Sequence, residues 1–138
     1  MKKFLYLSFI VLFITSCGQD DSLTSMQGLE GIWDIETYID KSTNAREDVL
    51  KEDVASIKFE GNEVLVSTFC NGGSGKIEIT KTKITVTDLA MTEIACLLMS
   101  EHEYRFTDNL SGQYKIEGEK LTIISDQNTD LILTKANH

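Results

Sequence analysis

The rest of this chain is organised around two segments, Phe69-Cys70-Asn71-Gly72-Gly73-Ser74-Gly75 and Met91-Thr92-Glu93-Ile94-Ala95-Cys96. Together they carry two of the three cysteines in the sequence. The residues before and after them form segments in which apolar side chains recur at every second position. This period is typical of β-strands that bury one face. The two segments therefore interrupt a continuous β pattern.

Short β-like segments cover most of the chain from residue 31 onward. They are 33–39, 57–59, 64–70, 77–79, 84–86, 114–116, 121–123 and 131–133. The links between them are hairpin-sized, which favours antiparallel pairing because parallel crossovers need about a dozen residues or more. Closing such a sheet buries the apolar faces and removes exposed edges. We predict a mainly β (α+β) single domain, an antiparallel β-barrel-like sheet of about eight strands with one short helix.

Alternation also predicts which side chains face the interior. The predicted inward residues are Trp33, Ile35 and Ile39 in the first strand, and Val64, Val66, Thr68 and Cys70 in the third. Trp33 is most simply a core aromatic that seals one end of the sheet. The glycine-rich residues 71–75 are predicted to form a hairpin whose glycines adopt positive φ. The polar residues 44–53 fit either a helical turn or a solvated loop.

One segment near the C-terminal third has a helical pattern. Ser100 is followed three residues later by Glu103, which is the capping-box signature. Phe106 and Leu110 lie four residues apart on one helical stripe, and Gly112 offers a stop. We predict a short helix that plugs or flanks the sheet.

The first residues have the three parts of a secretory signal peptide. Lys2 and Lys3 precede an apolar run over 4–14, and this run is shorter than the ~20 residues that span a bilayer. We predict that residues 1–16 are a signal peptide. Residues 17–29 would form the lipidated N-terminus with a flexible polar tether, and residues 30–138 the domain.

The end of the signal, Ile14-Thr15-Ser16-Cys17, resembles the lipobox of bacterial lipoproteins, in which the cysteine is lipidated. The alternative is ordinary cleavage near Ser16, which leaves Cys17 as a free thiol. Several acyl chains anchor a protein stably where one chain does not. The pair Asp20-Asp21 resembles the surface-export signal of some lipoproteins. We therefore expect an outer-membrane lipoprotein, on the periplasmic or the cell-surface face.

The charge of the mature chain limits its partners. Without residues 1–16 it would carry 11 basic and 22 acidic residues, a net charge of −11. Such a surface repels the phosphates of nucleic acids. We expect no nucleic-acid partner. The expected partners are the membrane, through the N-terminal lipid, and a protein of the envelope, with the domain itself a monomer.

Several short motifs occur in the order found in one known family. They are Gly31-Ile32-Trp33, Cys70-Asn71 followed by Gly75, Thr92-Glu93-Ile94-Ala95-Cys96, the helix start at 101–106 and Tyr114-Lys115-Ile116-Glu117-Gly118. Over residues 29–135 the chain resembles META domain (heat-shock protein HslJ-like) lipoproteins. Phe69 and Gly73 depart from the family pattern, which usually has glycine and an aromatic residue at these positions.

The resemblance implies a compact antiparallel β domain with one helix in a bacterial envelope protein. Members of the family are associated with heat-shock response, drug tolerance and secretion or motility, without an established catalytic activity. The positions that match the family motif are Trp33, Asn71, Gly75, Thr92 and Ala95.

Cys70 and Cys96 are the remaining cysteines if Cys17 is lipidated. An even pair in an oxidising compartment favours a disulfide, and the family spacing implies that the two segments are neighbours. The alternative is two buried thiols that only pack.

The sequence offers little for catalysis or metal binding. A nucleophilic cysteine needs a nearby base, and only His102 is a candidate because His138 lies at the C-terminus. There is no metal-ligand spacing and no phosphate loop that opens a helix. We therefore expect no catalytic residues, no metal and no cofactor.

These observations lead to a non-catalytic envelope lipoprotein whose domain serves binding, stress tolerance or assembly at the membrane. The alternative is a lipocalin-like carrier of small ligands or a protease-inhibitor barrel, since the Gly-x-Trp start, eight strands and late helix also resemble that superfamily. The two differ in the barrel interior, because a carrier needs a cavity of roughly 300 Å³ or more.

Overall fold

The computed structural model describes residues 28–51, 54–94 and 100–137. The elements within these ranges are β1 (Gly31–Asp40), β2 (Arg46–Asp48), β3 (Ser56–Glu60), β4 (Glu63–Ser67), β5 (Gly72–Ile79), β6 (Lys83–Met91), α1 (Ser100–Thr107), β7 (Gly112–Glu117), β8 (Lys120–Ser125) and β9 (Thr129–Lys135). The sequence predictions for residues 1–16, Cys17, Ala95, Cys96 and His138 lie outside the described residues.

The strands form one antiparallel sheet that closes on itself. Consecutive strands pair from β3 to β9, and β1 pairs with both β3 and β9. Eight strands therefore make a closed barrel, and β2 adds a ninth along the second half of β1, opposite Thr37 to Ile39. The prediction of an antiparallel barrel-like sheet of about eight strands with a short helix is confirmed.

The barrel has two distinct ends. One, which we call the terminal end, carries the start of β1 and the end of β9, where Trp33 pairs with Lys135. The tight turns β3–β4, β5–β6 and β7–β8 lie at this same end. The opposite end, which we call the helix end, carries α1, the turn at 68–71 and the β8–β9 turn.

Apolar side chains fill the barrel. The fully buried ones are Leu29, Trp33, Ile57, Phe59, Val64, Ile84, Phe106, Leu121, Ile123, Leu131 and Leu133. Trp33 lies at the terminal end, where its Nε1 donates a hydrogen bond to the carbonyl oxygen of Leu29 at 2.7 Å. The Nζ of Lys135 lies 5.4 Å from the centre of the Trp33 ring, within cation–π range. Trp33 thus closes this end of the core.

A β-bulge in β1 changes which residues face inward. The register against β9 shifts between Ile35 and Thr37, where Leu133 and Ile132 are their partners. The extra residue reverses the alternation. Tyr38 is therefore buried opposite Leu131, whereas Ile39 is only half-buried. The prediction that Ile39 faces inward was wrong for this reason.

The third barrel strand is shorter than predicted. Val64 and Val66 are buried, but β4 ends at Ser67. Thr68 to Asn71 then form a tight turn, in which the Thr68 amide donates to the Asn71 carbonyl oxygen at 2.7 Å. Cys70 lies in this turn and is half-buried. Strand parity therefore does not apply to Thr68 and Cys70, and their predicted inward direction was wrong.

The glycines after this turn belong to a strand. β5 begins at Gly72, and the glycines of 71–75 are not among the residues with positive φ. The predicted hairpin over 71–75 was wrong, because the chain reverses direction one turn earlier. The glycines serve close packing against β6, where a Cβ on Gly73 would lie 2.4 Å from the carbonyl oxygen of Ala90.

Two smaller differences concern the segments that flank the barrel. Residues 46–48, predicted to be a loop or a helical turn, form the exposed strand β2. Gly112 opens β7 rather than ending the helix, and a Cβ there would lie 2.1 Å from the carbonyl oxygen of Ile124. The predicted short helix is found, but it ends at Thr107, so Phe106 is buried from the helix whereas Leu110 is buried from the segment that follows it.

Candidate functional site

The side chain of Asn71 holds together three segments at the helix end. Its Oδ1 accepts hydrogen bonds from Thr92 Oγ1 and from the Ile94 amide, each at 2.8 Å. Its Nδ2 donates to Glu103 Oε2 on α1 at 2.9 Å. Asn71 is only 8% exposed. We call this arrangement of Asn71, Thr92, Ile94 and Glu103 the Asn71 cluster.

The backbone around Asn71 is equally well bonded. The Asn71 amide donates to Thr68 Oγ1 at 2.9 Å, and the Thr68 hydroxyl donates to the Asn71 carbonyl oxygen at 2.8 Å. Gly72 and Thr92 exchange two further bonds, from the Gly72 amide to Thr92 Oγ1 and from the Thr92 amide to the Gly72 carbonyl oxygen. The turn between β4 and β5 therefore has a fixed conformation.

Two large apolar side chains extend from this fixed frame into solvent. Phe69, at the tip of the turn, is 63% exposed, and Ile94 is 61% exposed. The Sγ of Cys70 lies 3.4 Å from the carbonyl oxygen of Ile94. The turn and the segment after β6 are thus in direct contact.

A shallow cleft lies beside the Asn71 cluster. Its lining is Tyr38, Ala55, Thr68, Phe69, Cys70, His102 and Glu103. Its volume is about 10 Å³, room for about one water molecule. Burial raises the pKa of Tyr38 to about 12. His102, the candidate base of the sequence analysis, is exposed at the rim.

Arg105 fastens α1 to the barrel wall next to the cleft. Its guanidinium lies 4.5 Å from the centre of the Tyr38 ring, and its Nη1 lies 2.5 Å from Glu47 Oε2 on β2. The Arg105 side chain is 23% exposed, so part of this pair is shielded from water. The positive charge of Arg105 is therefore balanced locally.

A second asparagine ties the end of α1 to the β8–β9 turn. Asn109 Oδ1 accepts from Ser125 Oγ at 2.9 Å and from the Thr129 amide at 3.1 Å. Its Nδ2 donates to the Arg105 carbonyl oxygen at 2.8 Å. Asn71 and Asn109 together fix the helix on this end of the barrel.

The predicted motif residues fall into separate parts of the structure. Asn71 and Thr92 bond to each other, whereas Trp33 lies at the opposite end in the core. Gly75 lies in β5 against β6, and a Cβ there would lie 2.9 Å from the Thr87 carbonyl oxygen. Cys70 reaches the segment that leads toward Cys96, which itself lies outside the described residues.

The sequence predicted no role in a functional site for several other residues found there. Glu103 was interpreted only as part of a capping box, although its carboxylate accepts from Asn71 across 32 residues of sequence. Tyr38, Arg105 and Asn109 lie in ordinary strand or helix patterns. Their roles depend on contacts between segments far apart in the chain, for which a single sequence carries no signal.

Gly73→Ala tests the close approach of β5 and β6. A Cβ at Gly73 would lie 2.3 Å from Met91 Sδ and 2.4 Å from the Ala90 carbonyl oxygen, so backbone must move. Overpacking of this kind costs about 1–3 kcal/mol. Gly72→Ala is the matched control, because its nearest neighbour would lie 3.6 Å away. Equal urea midpoints for the two variants would contradict the proposed packing.

Within the described ranges, no three histidine, cysteine, aspartate or glutamate side chains are grouped so that they could hold a metal ion. No helix in the same ranges has the length and apolar character needed to cross a membrane.

Comparison with known proteins shows relationships of sequence and of fold. Residues 25–138 match the family model of the META domain. No curated protein matches the chain. An NMR structure of a protein from Burkholderia xenovorans is similar over 100% of both chains, with a TM-score of 0.68 and 11% identity. A second NMR structure matches 79% of this chain and 92% of its own, with a TM-score of 0.61 and 20% identity. At these identities the structural likeness shows the fold alone.

Proposed function

The chain belongs to the META domain family, and on this premise we propose that it is a non-catalytic lipoprotein of the outer membrane that binds a partner at the helix end of its barrel. In this proposal Cys17 carries the lipid, the domain is a monomer on the periplasmic or cell-surface face, and the role is assembly or stress tolerance in the envelope. The observation that carries the binding role is the exposure of two large apolar side chains, Phe69 and Ile94, beside the Asn71 cluster.

The filled interior of the barrel supports binding of a partner at the surface over a role as a carrier of small ligands. Trp33, Phe59 and Phe106 are fully buried inside the barrel together with the aliphatic core. The cleft at the helix end offers only about 10 Å³, whereas ligand pockets measure roughly 300–1,000 Å³. A small-molecule ligand inside the described barrel would have to displace core side chains.

The direction of the chain supports presentation away from the membrane. Leu29, near the start of the described residues, is buried next to Trp33 at the terminal end. The 12 residues from Gly18 to Leu29 span at most about 40 Å when fully extended. A lipid on Cys17 would therefore connect to the barrel through its terminal end, and the helix end would lie at the opposite side from this connection.

Lipidation of Cys17 is tested by metabolic labelling with a palmitate analogue. We expect Cys17→Ala to lose the label completely, because no other residue would form the acylated N-terminus. Cys70→Ser is the control and should retain it. Label that persists in Cys17→Ala would refute the anchor, and the outer-membrane assignment with it.

The proposed disulfide between Cys70 and Cys96 is tested by thiol titration of the full chain, which is expressed with its signal so that it is exported. The purified protein is denatured without reductant before the titration. The position of the Cys70 Sγ, 3.4 Å from the Ile94 carbonyl oxygen, supports the pairing because Ile94 is two residues from Cys96. We expect neither cysteine to react. Reaction of both would show that the pair is reduced.

The absence of catalysis also remains part of the proposal. A hydrolase that used Cys96 and His102 would lose its activity in Cys96→Ser and in His102→Ala. We expect the exported chain to show no hydrolysis of ester or peptide substrates above that of both variants. A rate that falls in either variant would overturn this part of the proposal.

A further inference from the structure

Phe69 and Ile94 are among six exposed large hydrophobic side chains of the described residues, of which Leu50 and Tyr104 are equally exposed, at 61% and 64%. Leu65 and Ile124 are 41% and 46% exposed and lie in the strands of the barrel wall. Phe69 instead lies at the tip of a turn whose backbone is bonded on both sides, and the Ile94 amide is held by Asn71. A side chain on a backbone that is already fixed loses less conformational entropy on binding than one on a mobile segment. Such pre-organised anchors dominate the energy of protein interfaces.

The charge around this pair is negative. Glu93 precedes Ile94 and is exposed, and the Glu103 carboxylate lines the cleft beside Phe69. Among the described residues no lysine or arginine forms an ion pair with Glu93 or Glu103, and the nearby Arg105 is paired with Glu47. The mature chain as a whole would carry −11. A partner that carries positive charge is therefore favoured over an anionic membrane surface.

We infer that Phe69 and Ile94 form a docking surface for a segment of a partner protein that carries apolar side chains interspersed with lysine or arginine. The apolar side chains would cover Phe69 and Ile94, and the cations would face Glu93 and Glu103. This inference rests on the proposed function and deepens it by naming the surface and the chemistry of the partner. The position at the helix end, opposite the buried Leu29, leaves this surface accessible to a protein in the aqueous phase.

The test is NMR titration of the full chain, labelled with 15N, with a synthetic peptide of alternating leucine and lysine. We expect shifts of the amides of 68–72 and 92–94, and weaker binding at high salt. The same peptide with glutamate in place of lysine should bind at least about tenfold more weakly, because it meets Glu93 and Glu103.

Substitutions at the surface complete the test. Phe69→Ser should weaken binding of the leucine–lysine peptide at least about tenfold, since loss of an anchor costs this much or more. Leu65→Ser on the barrel wall is the matched control and should leave affinity within about twofold. Ile94→Ser is a second variant, in case Phe69→Ser alters the turn.

Three results with the peptides would overturn the inference. They are shifts spread over the barrel wall, affinity unchanged in both Phe69→Ser and Ile94→Ser, and equal binding of the lysine and glutamate peptides. Binding to phosphatidylglycerol vesicles that is lost in Phe69→Ser would instead make the surface a membrane contact, and would also overturn it. Failure of the lipid anchor would appear in the palmitate labelling and would leave these peptide results unchanged, so the two failures are distinguishable.

Discussion

Trp33→Ala is expected to lower the free energy of unfolding by about 3–5 kcal/mol, the largest effect of any single substitution considered for this chain. Trp33 is fully buried and closes the core at the terminal end. Its removal leaves a cavity that the closed barrel cannot fill by collapse. It also leaves the Leu29 carbonyl oxygen without the 2.7 Å hydrogen bond from Nε1.

Two controls separate the contributions of volume and hydrogen bonding. Trp33→Phe keeps an aromatic ring but loses the bond to Leu29, so we expect an intermediate loss of stability. Leu65→Ala removes a side chain that is 41% exposed and should cost less than about 1 kcal/mol. Urea unfolding should be followed by circular dichroism, because Trp33 is the sole tryptophan of the chain. A loss below about 1 kcal/mol in Trp33→Ala would mean that Trp33 is not a core residue.

Asn71→Ala is expected to cost about 2–4 kcal/mol. The substitution removes four side-chain hydrogen bonds, one with Thr92, one with Glu103 and two with the Ile94 backbone, at a site that is 8% exposed. Each bond contributes roughly 0.5–1.5 kcal/mol, and buried partners left without one cost more. We expect α1 and the segment 92–94 to loosen from the turn at 68–71.

The matched control is Asn62→Ala in the exposed β3–β4 turn, which should change stability by less than about 0.5 kcal/mol. Equal unfolding midpoints for the two alanine variants would contradict the role of Asn71. Asn71→Asp adds a pH test. It places a carboxylate at the position of Nδ2, 2.9 Å from Glu103 Oε2, and this repulsion should raise the folded-state pKa of the pair above its unfolded value.

The sign of the pH effect follows from that shift. A group whose folded pKa is raised loses stability as the pH rises through that pKa. The Asn71→Asp variant should therefore be closest to wild type near pH 4 and furthest from it at pH 7. A deficit that does not change between these pH values would show that Glu103 does not face residue 71.

The alternation of apolar residues was sufficient to predict the barrel but not its local irregularities. Alternation in 57–59, 121–123 and 131–133 predicted strands whose apolar residues are buried as expected. The bulge near Thr37 cannot be recognised in the sequence, because Tyr38 and Ile39 are both compatible with an inward position. The glycines of 72–75 favour a turn by local propensity, yet the close approach of β6 places them in a strand.

The site was predictable only in part, for a related reason. Asn71 and Thr92 both match the family motif, and the family spacing implied that their segments are neighbours. The two side chains form a 2.8 Å hydrogen bond. The contribution of Glu103 could not be predicted, since its helical position also satisfies a capping box. Tertiary contacts decide between two such local interpretations. Here the contacting residues are 21 and 32 positions apart in the sequence.

The most direct test of this account is hydrogen exchange at the Ile94 amide, which donates to Asn71 Oδ1 at 2.8 Å although the Ile94 side chain is 61% exposed. Amides held by a side-chain acceptor are protected only while that acceptor is in place. We predict that the Ile94 amide of the wild-type chain exchanges at least about tenfold more slowly than an unprotected amide. In Asn71→Ala its protection should disappear, while the Val66 amide in the barrel stays protected. An Ile94 amide that exchanges freely in the wild-type chain, or equally slowly in both proteins, would contradict the Asn71 cluster and the docking surface that depends on it.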